Sequence, residues 1–190
     1  MNKLRPILLS ALAVFVVCLT ACAQTRKEQT MQGSKVLIAY FSATGTTKAV
    51  AQRLANVTGG ELYEILSEQP YTDADFDWND SQSRSSVEMN NPQSRPAIKG
   101  KKEKMNDYDA IFIGYPIWWN LAPTIVNTFI ESHDLKGKTV IPFATSGGSS
   151  IGNSVSALKN AYPEIRWRNG RLLNRASEKS VREWADEVLK

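Results

Sequence analysis

Residues Lys35–Thr47 read KVLIAYFSATGTT, and this stretch decides the fold. Val36 to Phe41 is a short apolar run, rich in β-branched and aromatic residues and bounded by polar ones. Such runs form strands buried on both faces, as inside a parallel sheet. The run stops at Ser42, and a hydroxyl-rich turn follows through Thr44, Gly45, Thr46 and Thr47. From Thr46 or Thr47 a helical pattern begins, with Val50, Leu54 and Val57 on one face. Strand, small polar turn and helix start together make an anion site. The first-turn amides have no partner inside the helix, the helix dipole favours negative charge there, and hydroxyls add donors. An ordinary capped turn also uses Ser and Thr. Four hydroxyls and a glycine within residues 42–47 exceed what capping needs, and a phosphate cradle is the preferred reading.

Further along, strands and helices alternate. Gly59-Gly60 suits a helix stop, and Glu61 to Leu66 suits a second strand nearer the sheet edge. Ser67 to Asn106 is polar, with aromatics at Tyr71, Phe76 and Trp78 and prolines at Pro70, Pro92 and Pro96. It is too long for a structureless connection, and a polar helix is expected over about Asp77 to Asn90. Ala110 to Tyr115 is an apolar strand, followed by the loop Pro116-Ile117-Trp118-Trp119-Asn120 and a helix from Pro123 to about Ser132. Thr139 to Ala144 is a fourth strand despite Pro142, which has no N–H for a ladder. Thr145-Ser146-Gly147-Gly148-Ser149-Ser150 follows, then a helix with Ile151, Val155 and Leu158 in register. A weaker strand within Ile165 to Leu173 and a helix carrying Val181, Trp184, Ala185 and Val188 complete the chain. This alternation predicts right-handed crossovers and a parallel sheet with helices on both faces. Ligands of such sheets sit beyond the carboxyl ends of the strands, where the three polar or aromatic loops converge.

The N-terminus reads separately. Lys3 and Arg5 precede an apolar core, Ile7 to Val17, too short to span a bilayer and suited to a signal peptide. Leu19-Thr20-Ala21-Cys22 resembles the lipobox of bacterial lipoproteins, which implies removal of residues 1–21 and lipidation of Cys22. Residues 22–34, polar and aperiodic from Gln24 onward, are then a tether, and 35–190 form one domain. The expected location is the cell envelope, with the membrane reached through the lipid. Cys18 and Cys22 are the only cysteines, so the mature chain has no disulfide, catalytic thiol or thiolate metal site. His133 is the single histidine, which argues against a histidine metal cluster. Losing Lys3 and Arg5 lowers the formal net charge from +4 to +2, with both signs mixed along the chain. No clustered basic stripe suggests a nucleic-acid partner.

Rival motifs fail. There is no G-x-G-x-x-G, and Ser42 to Lys48 lacks the Gly-Lys step of a Walker loop. Gly148-Ser149-Ser150-Ile151-Gly152 fits a hydrolase nucleophile elbow, but no histidine follows Ser150 to serve as its base. His133 lies upstream, placed as a helix-end residue beside the helix dipole. The Trp118-Trp119 pair sits in a loop and offers a flat face for a heterocycle, where packing is the commoner role of tryptophan. Gly147-Gly148 would let backbone amides approach polar ring edges. A phosphate cradle, an aromatic wall and a glycine-rich wall describe a site for FMN.

Ser42-Ala43-Thr44-Gly45-Thr46-Thr47 resembles the phosphate loop of flavodoxins. Tyr115-Pro116-Ile117-Trp118-Trp119 and Thr145-Ser146-Gly147-Gly148-Ser149 resemble the two isoalloxazine loops of a bacterial flavodoxin-like subfamily. The resemblance covers roughly Lys35 to Lys190. It implies a flavodoxin-like three-layer α/β sandwich, a five-stranded parallel sheet in order 2-1-3-4-5, and non-covalent FMN at the strand ends. By that matching Ser42, Thr44, Gly45, Thr46 and Thr47 hold the phosphate. Pro116, Ile117, Trp118, Trp119 and Asn120 flank the flavin, and Thr145, Ser146, Gly147, Gly148 and Ser149 contact its ring.

The chain departs from that pattern in four ways. Thr145 to Ser150 carries no aromatic residue to cover the outer flavin face, which is therefore expected to be open. The mature chain is near neutral where flavodoxins are acidic, it carries an export signal, and Asn120 stands where the subfamily has glycine. The expected function is electron transfer through FMN at the envelope, with no side chain acting as acid or base. The partner is a redox protein or a small planar acceptor such as a quinone. Two alternatives are an FMN-dependent NAD(P)H- or quinone-type reductase, favoured by an open face, and a flavin-free lipoprotein keeping the fold.

Overall fold

The computed structural model describes residues 35–190, so the signal peptide, the lipidation at Cys22 and the tether expected from the sequence lie outside the described residues. Within them, β1 (Val36–Tyr40) is buried along its whole length. It sits inside a parallel sheet, paired on one side with β2 (Glu61–Glu64) and on the other with β3 (Ala110–Pro116). β3 pairs with β4 (Thr139–Thr145), giving the order β2-β1-β3-β4 with a fifth position beyond it. This is the expected 2-1-3-4-5 order of a flavodoxin-like α/β fold.

The fifth position is split. β5 (Arg166–Trp167) pairs with Thr139 and Val140, and β6 (Arg171–Leu172) pairs with Phe143 and Ala144. Pro142 explains the break. The carbonyls of Val140 and Ala144 accept from the amides of Arg168 and Leu173, at 2.8 and 2.9 Å. Pro142 lies midway on the same edge of β4 and has no N–H to offer. The chain passes it at Gly170, where an added Cβ would stand 2.9 Å from the Pro142 carbonyl oxygen.

Helices cover both faces. α1 (Thr46–Thr58) and α5 (Glu178–Val188) pack Val50, Leu54, Val181 and Trp184 against Ile38 and Phe112 on one face. α3 (Thr124–Glu131) and α4 (Gly152–Ala161) pack Ile125, Phe129 and Leu158 against Leu37 and Ile111 on the other. Successive β3 residues alternate between these two cores, the period of a strand buried on both faces. Within the sheet, Gly114 on β3 makes room for its cross-strand partner on β4: an added Cβ would meet the Phe143 ring at 2.1 Å. Gly59 ends α1 in the left-handed conformation (φ +68°), its amide donating to the Ala55 carbonyl.

The polar segment after β2 is ordered, but not as expected. The helix predicted from Asp77 starts only at Arg84, as α2 (Arg84–Asn90) capped by Ser83. The Asp77 and Asp80 carboxylates accept from the amides of Asn79 and Gln82, at 2.9 and 2.8 Å. These local turns compete with the helix for the same backbone. A 3-10 turn at Asp73–Phe76 precedes them. The segment closes on itself where Glu68 donates to Ala97 and Lys99 to Leu66, at 2.8 and 2.7 Å. β2 ends at Glu64, two residues earlier than predicted, and Leu66 is exposed. Among the described residues, no helix is long and apolar enough to cross a membrane.

Candidate functional site

The turn after β1 is built as an anion cradle. Gly45 precedes α1 with φ +84°, a conformation that disfavours any residue with a Cβ, and no side chain caps the helix. The amides of Gly45, Thr46 and Thr47 make no hydrogen bond within the described residues, while Lys48 donates to Ser42 Oγ at 3.1 Å. The exposed hydroxyls of Thr44 and Thr46 lie 3.3 Å apart. Among the described residues, no lysine or arginine lines the adjoining cleft. Lys48 is turned away, its Nζ 2.8 Å from Glu64. Glu64 also accepts from Tyr40, and burial, then that neighbouring charge, pushes the Tyr40 phenol up to about 12. The groups this turn offers to an anion are therefore amides, hydroxyls and the helix dipole.

Thr47 does a different job from its neighbours. Its hydroxyl is buried and lies 2.9 Å from the Thr145 hydroxyl, joining the turn after β1 to the end of β4. The main chain of Thr145 accepts from Ile117 at 2.8 Å, so the turn after β3 joins the same frame.

These loops enclose a cleft of about 360 Å³, within the range of small-molecule sites. Thr44 and Thr46 lie along it, Ser146, Gly147 and Asn174 form one wall, and Pro116, Ile117 and Trp118 belong to another. Trp118 is only 2% exposed, because Phe41, Tyr71, Phe76 and Trp78 surround it with ring centroids 5.5–5.9 Å away. Trp119 and Asn120 do not line the cleft. They are the central residues of a tight turn in which Trp118 and Leu121 exchange both backbone hydrogen bonds, at 3.0 and 2.8 Å. Their φ values of +42° and +67° are those of a type I′ turn. Asparagine tolerates that conformation better than most residues, which accounts for Asn120 where the subfamily has glycine.

The glycine-rich wall differs from expectation. The amides of Gly148 and Ser149 are taken by Ser146 Oγ, at 3.1 and 2.8 Å, so neither is free for a ring edge. The Gly147 amide makes no hydrogen bond within the described residues. Asn174 fixes this loop, accepting from the Ser146 amide at 2.7 Å and donating to the Ser146 carbonyl. Asn174, Ala43, Phe76 and Trp78 line the cleft, and sequence reasoning missed all four. The aromatic pair stood out only as unusual in a polar segment. Nothing local marked Asn174.

Ser150 is exposed after β4, and His133 follows the C-terminal end of α3, at the opposite end of the strands. His133 Nδ1 lies 2.7 Å from the Phe129 carbonyl, and Nε2 accepts from the Lys102 amide at 2.9 Å. The ring is neutral, and burial lowers its pKa against the raising effect of the Phe129 carbonyl. His133 stands at a helix end, as expected, and apart from Ser150, so it cannot serve as a base there. Among the described residues, no cluster of three or more His, Cys, Asp or Glu could hold a metal ion.

A doubly wound parallel sheet with free amides at the start of α1 and a cleft over the strand ends defines an α/β protein whose candidate site lies at the carboxyl ends of its strands. The family model described as Flavodoxin matches residues 35–188, and the chain belongs to that family. A protein of Bacteroides eggerthii DSM 20697, classed as a flavoprotein, is 64% identical over 83% of this chain and 99% of its own, with a TM-score of 0.81. A similarly classed protein of Bacteroides uniformis ATCC 8492 is 57% identical over 80% and 98%, with a TM-score of 0.78. A flavoprotein of Lactobacillus acidophilus NCFM, crystallised in complex with FMN, shares the fold at 24% identity over 80% and 99%, with a TM-score of 0.64. No curated protein matches the chain.

Proposed function

We propose that this protein binds one FMN in the cleft over β1, β3 and β4 and serves as an electron-transfer flavoprotein. The observation that carries the reading is the cradle: free amides at Gly45, Thr46 and Thr47, with the Thr44 and Thr46 hydroxyls, opening into a cleft with an aromatic side. These groups suit a phosphate on a tether and a flat ring. When bound, FMN supplies one- and two-electron chemistry. The chain's own part is to hold and desolvate it. Amides and hydroxyls take the phosphate, and Ser146, braced by Asn174, holds one wall of the ring site in place.

Among the described residues no ionisable side chain lines the cleft, so the chain offers the flavin no acid or base of its own, and the electron-carrier reading is kept as the simpler one. The partner is a redox protein or, as a second possibility within the same chemistry, a planar quinone-like acceptor. The sequence before Lys35 supports attachment to the envelope through Cys22. Stopped-flow mixing of the FMN-loaded protein with NADH or NADPH, and of its reduced form with menadione, tests the choice. A carrier reacts slowly with all three, and rapid saturable turnover with a nicotinamide and a quinone would make it a reductase. A Cys22→Ser variant that stays in the membrane fraction would remove the lipid anchor.

A further inference from the structure

The cleft needs a flat partner for a planar ring, and the tryptophan pair read from the sequence does not supply one. Trp118 offers little free surface, because four aromatic neighbours occupy its surroundings and leave it 2% exposed. Trp119 lies outside the cleft. The opposite wall, Thr145 to Gly147 with Asn174, is peptide and small polar side chains. Trp78 alone among the described tryptophans both lines the cleft and keeps a large free surface, being 52% exposed. Leaving that much indole in water is unfavourable unless something covers it.

Its position is also held. Trp78 packs on Trp119 with centroids 5.0 Å apart and edge-on against Trp118 at 5.7 Å. Two residues earlier, Phe76 stacks on Tyr71 at 5.4 Å. Tyr71 is clamped in turn: the Arg84 guanidinium sits 3.8 Å from its ring centroid and Glu88 accepts its hydroxyl at 2.6 Å. Arg84 and Glu88 pair at 2.7 Å, and Arg84 also donates to Ser67 and to the Gln69 carbonyl. The segment after β2 is thus a braced arm that ends in an indole at the mouth of the cleft.

We infer that Trp78 stacks on the face of the flavin that lies across the cleft from the loop after β4, where Trp118 is too buried to serve. The inference rests on the FMN reading above and deepens it. With Trp78 on one side and the wall of Thr145 to Gly147 on the other, the ring is reached at its edge, which suits a docked redox protein and disfavours a substrate stacked on the ring.

The test is FMN titration into the full-length protein and its Trp78→Ala and Trp78→Phe variants, followed by flavin fluorescence, with iodide quenching of the bound flavin as a second readout. Trp78 is exposed, so the variants are expected to fold, and circular dichroism checks this. The expected result for Trp78→Ala is FMN binding weakened about tenfold or more, higher residual fluorescence and greater iodide access. Trp78→Phe, which keeps a flat ring, recovers most of the loss. Wild-type affinity and wild-type iodide access in Trp78→Ala would overturn the inference while leaving the FMN reading in place. A folded wild-type protein that takes up no FMN would overturn both.

Discussion

The Thr47 hydroxyl lies 2.9 Å from the Thr145 hydroxyl, both side chains buried, across 98 residues of sequence. This bond ties the turn that starts α1 to the last residue of β4. It sets the distance between the start of α1 and the facing wall of the cleft. Replacing one partner leaves the other buried without a hydrogen bond. Thr47→Val and Thr145→Val are each expected to lower stability by about 1–3 kcal/mol. The double variant should lose less than the sum, because no orphaned hydroxyl remains. Urea denaturation of the four proteins measures this, and strict additivity would argue that the bond is unimportant.

Gly114 is required by contact rather than by backbone conformation. An added Cβ would stand 2.1 Å from the Phe143 ring. Gly114→Ala should destabilise by about 3 kcal/mol or more, since both β3 and β4 are central strands with little room to move. Combining it with Phe143→Leu should recover part of the loss. Thermal melts of the single and double variants would settle it.

Glu88 holds the braced arm. Its carboxylate is nearly buried and takes both Arg84 and the Tyr71 hydroxyl. Glu88→Ala leaves a largely buried guanidinium unpaired and should cost about 3 kcal/mol. It should also weaken FMN binding, because Tyr71 and Phe76 lose their support. Val87→Ala on the same helix, at an exposed position, should change stability by less than about 0.5 kcal/mol. Equal effects from the two variants would contradict the clamp.

His133 predicts a pH dependence. Burial lowers its folded pKa below the ordinary value of 6.5, aided by Lys101 and opposed by the Phe129 carbonyl and Glu103. The neutral ring is therefore favoured on folding. Its contribution is complete above pH 6.5 and is lost as pH falls from there through the folded pKa. Protonation would also set an N–H at Nε2 against the Lys102 amide that it now accepts. Urea midpoints measured between pH 8 and pH 5 should fall in the wild type. His133→Gln should lack that step, and parallel curves for the two proteins would exclude the assignment.

Much of the fold was legible because β1, β3 and β4 are buried on both faces and read as unbroken apolar runs. Gly45 and Gly59 marked the ends of α1 by backbone chemistry alone. What could not be read depends on pairings between distant residues. The order of the segment after β2 comes from Arg84 joining Ser67, Gln69 and Glu88, and from aspartates that hold turns where the sequence predicts a helix. Asn174 reaches the cleft by bonding Ser146, 28 residues away. Pro142 was visible as a fault in a strand, but its consequence falls on the neighbouring strand, which breaks into β5 and β6.

The central claim is that the cradle at Thr44–Thr47 holds the phosphate of FMN. Titrating FMN into the purified protein and following the quenching of flavin fluorescence tests it most directly. The account predicts saturable one-to-one quenching. Removing both exposed hydroxyls, as Thr44→Ala with Thr46→Ala, should weaken binding about a hundredfold while the circular dichroism spectrum stays the same. A folded wild-type protein that leaves FMN fluorescence unchanged, or a double variant that binds as tightly as the wild type, would contradict it.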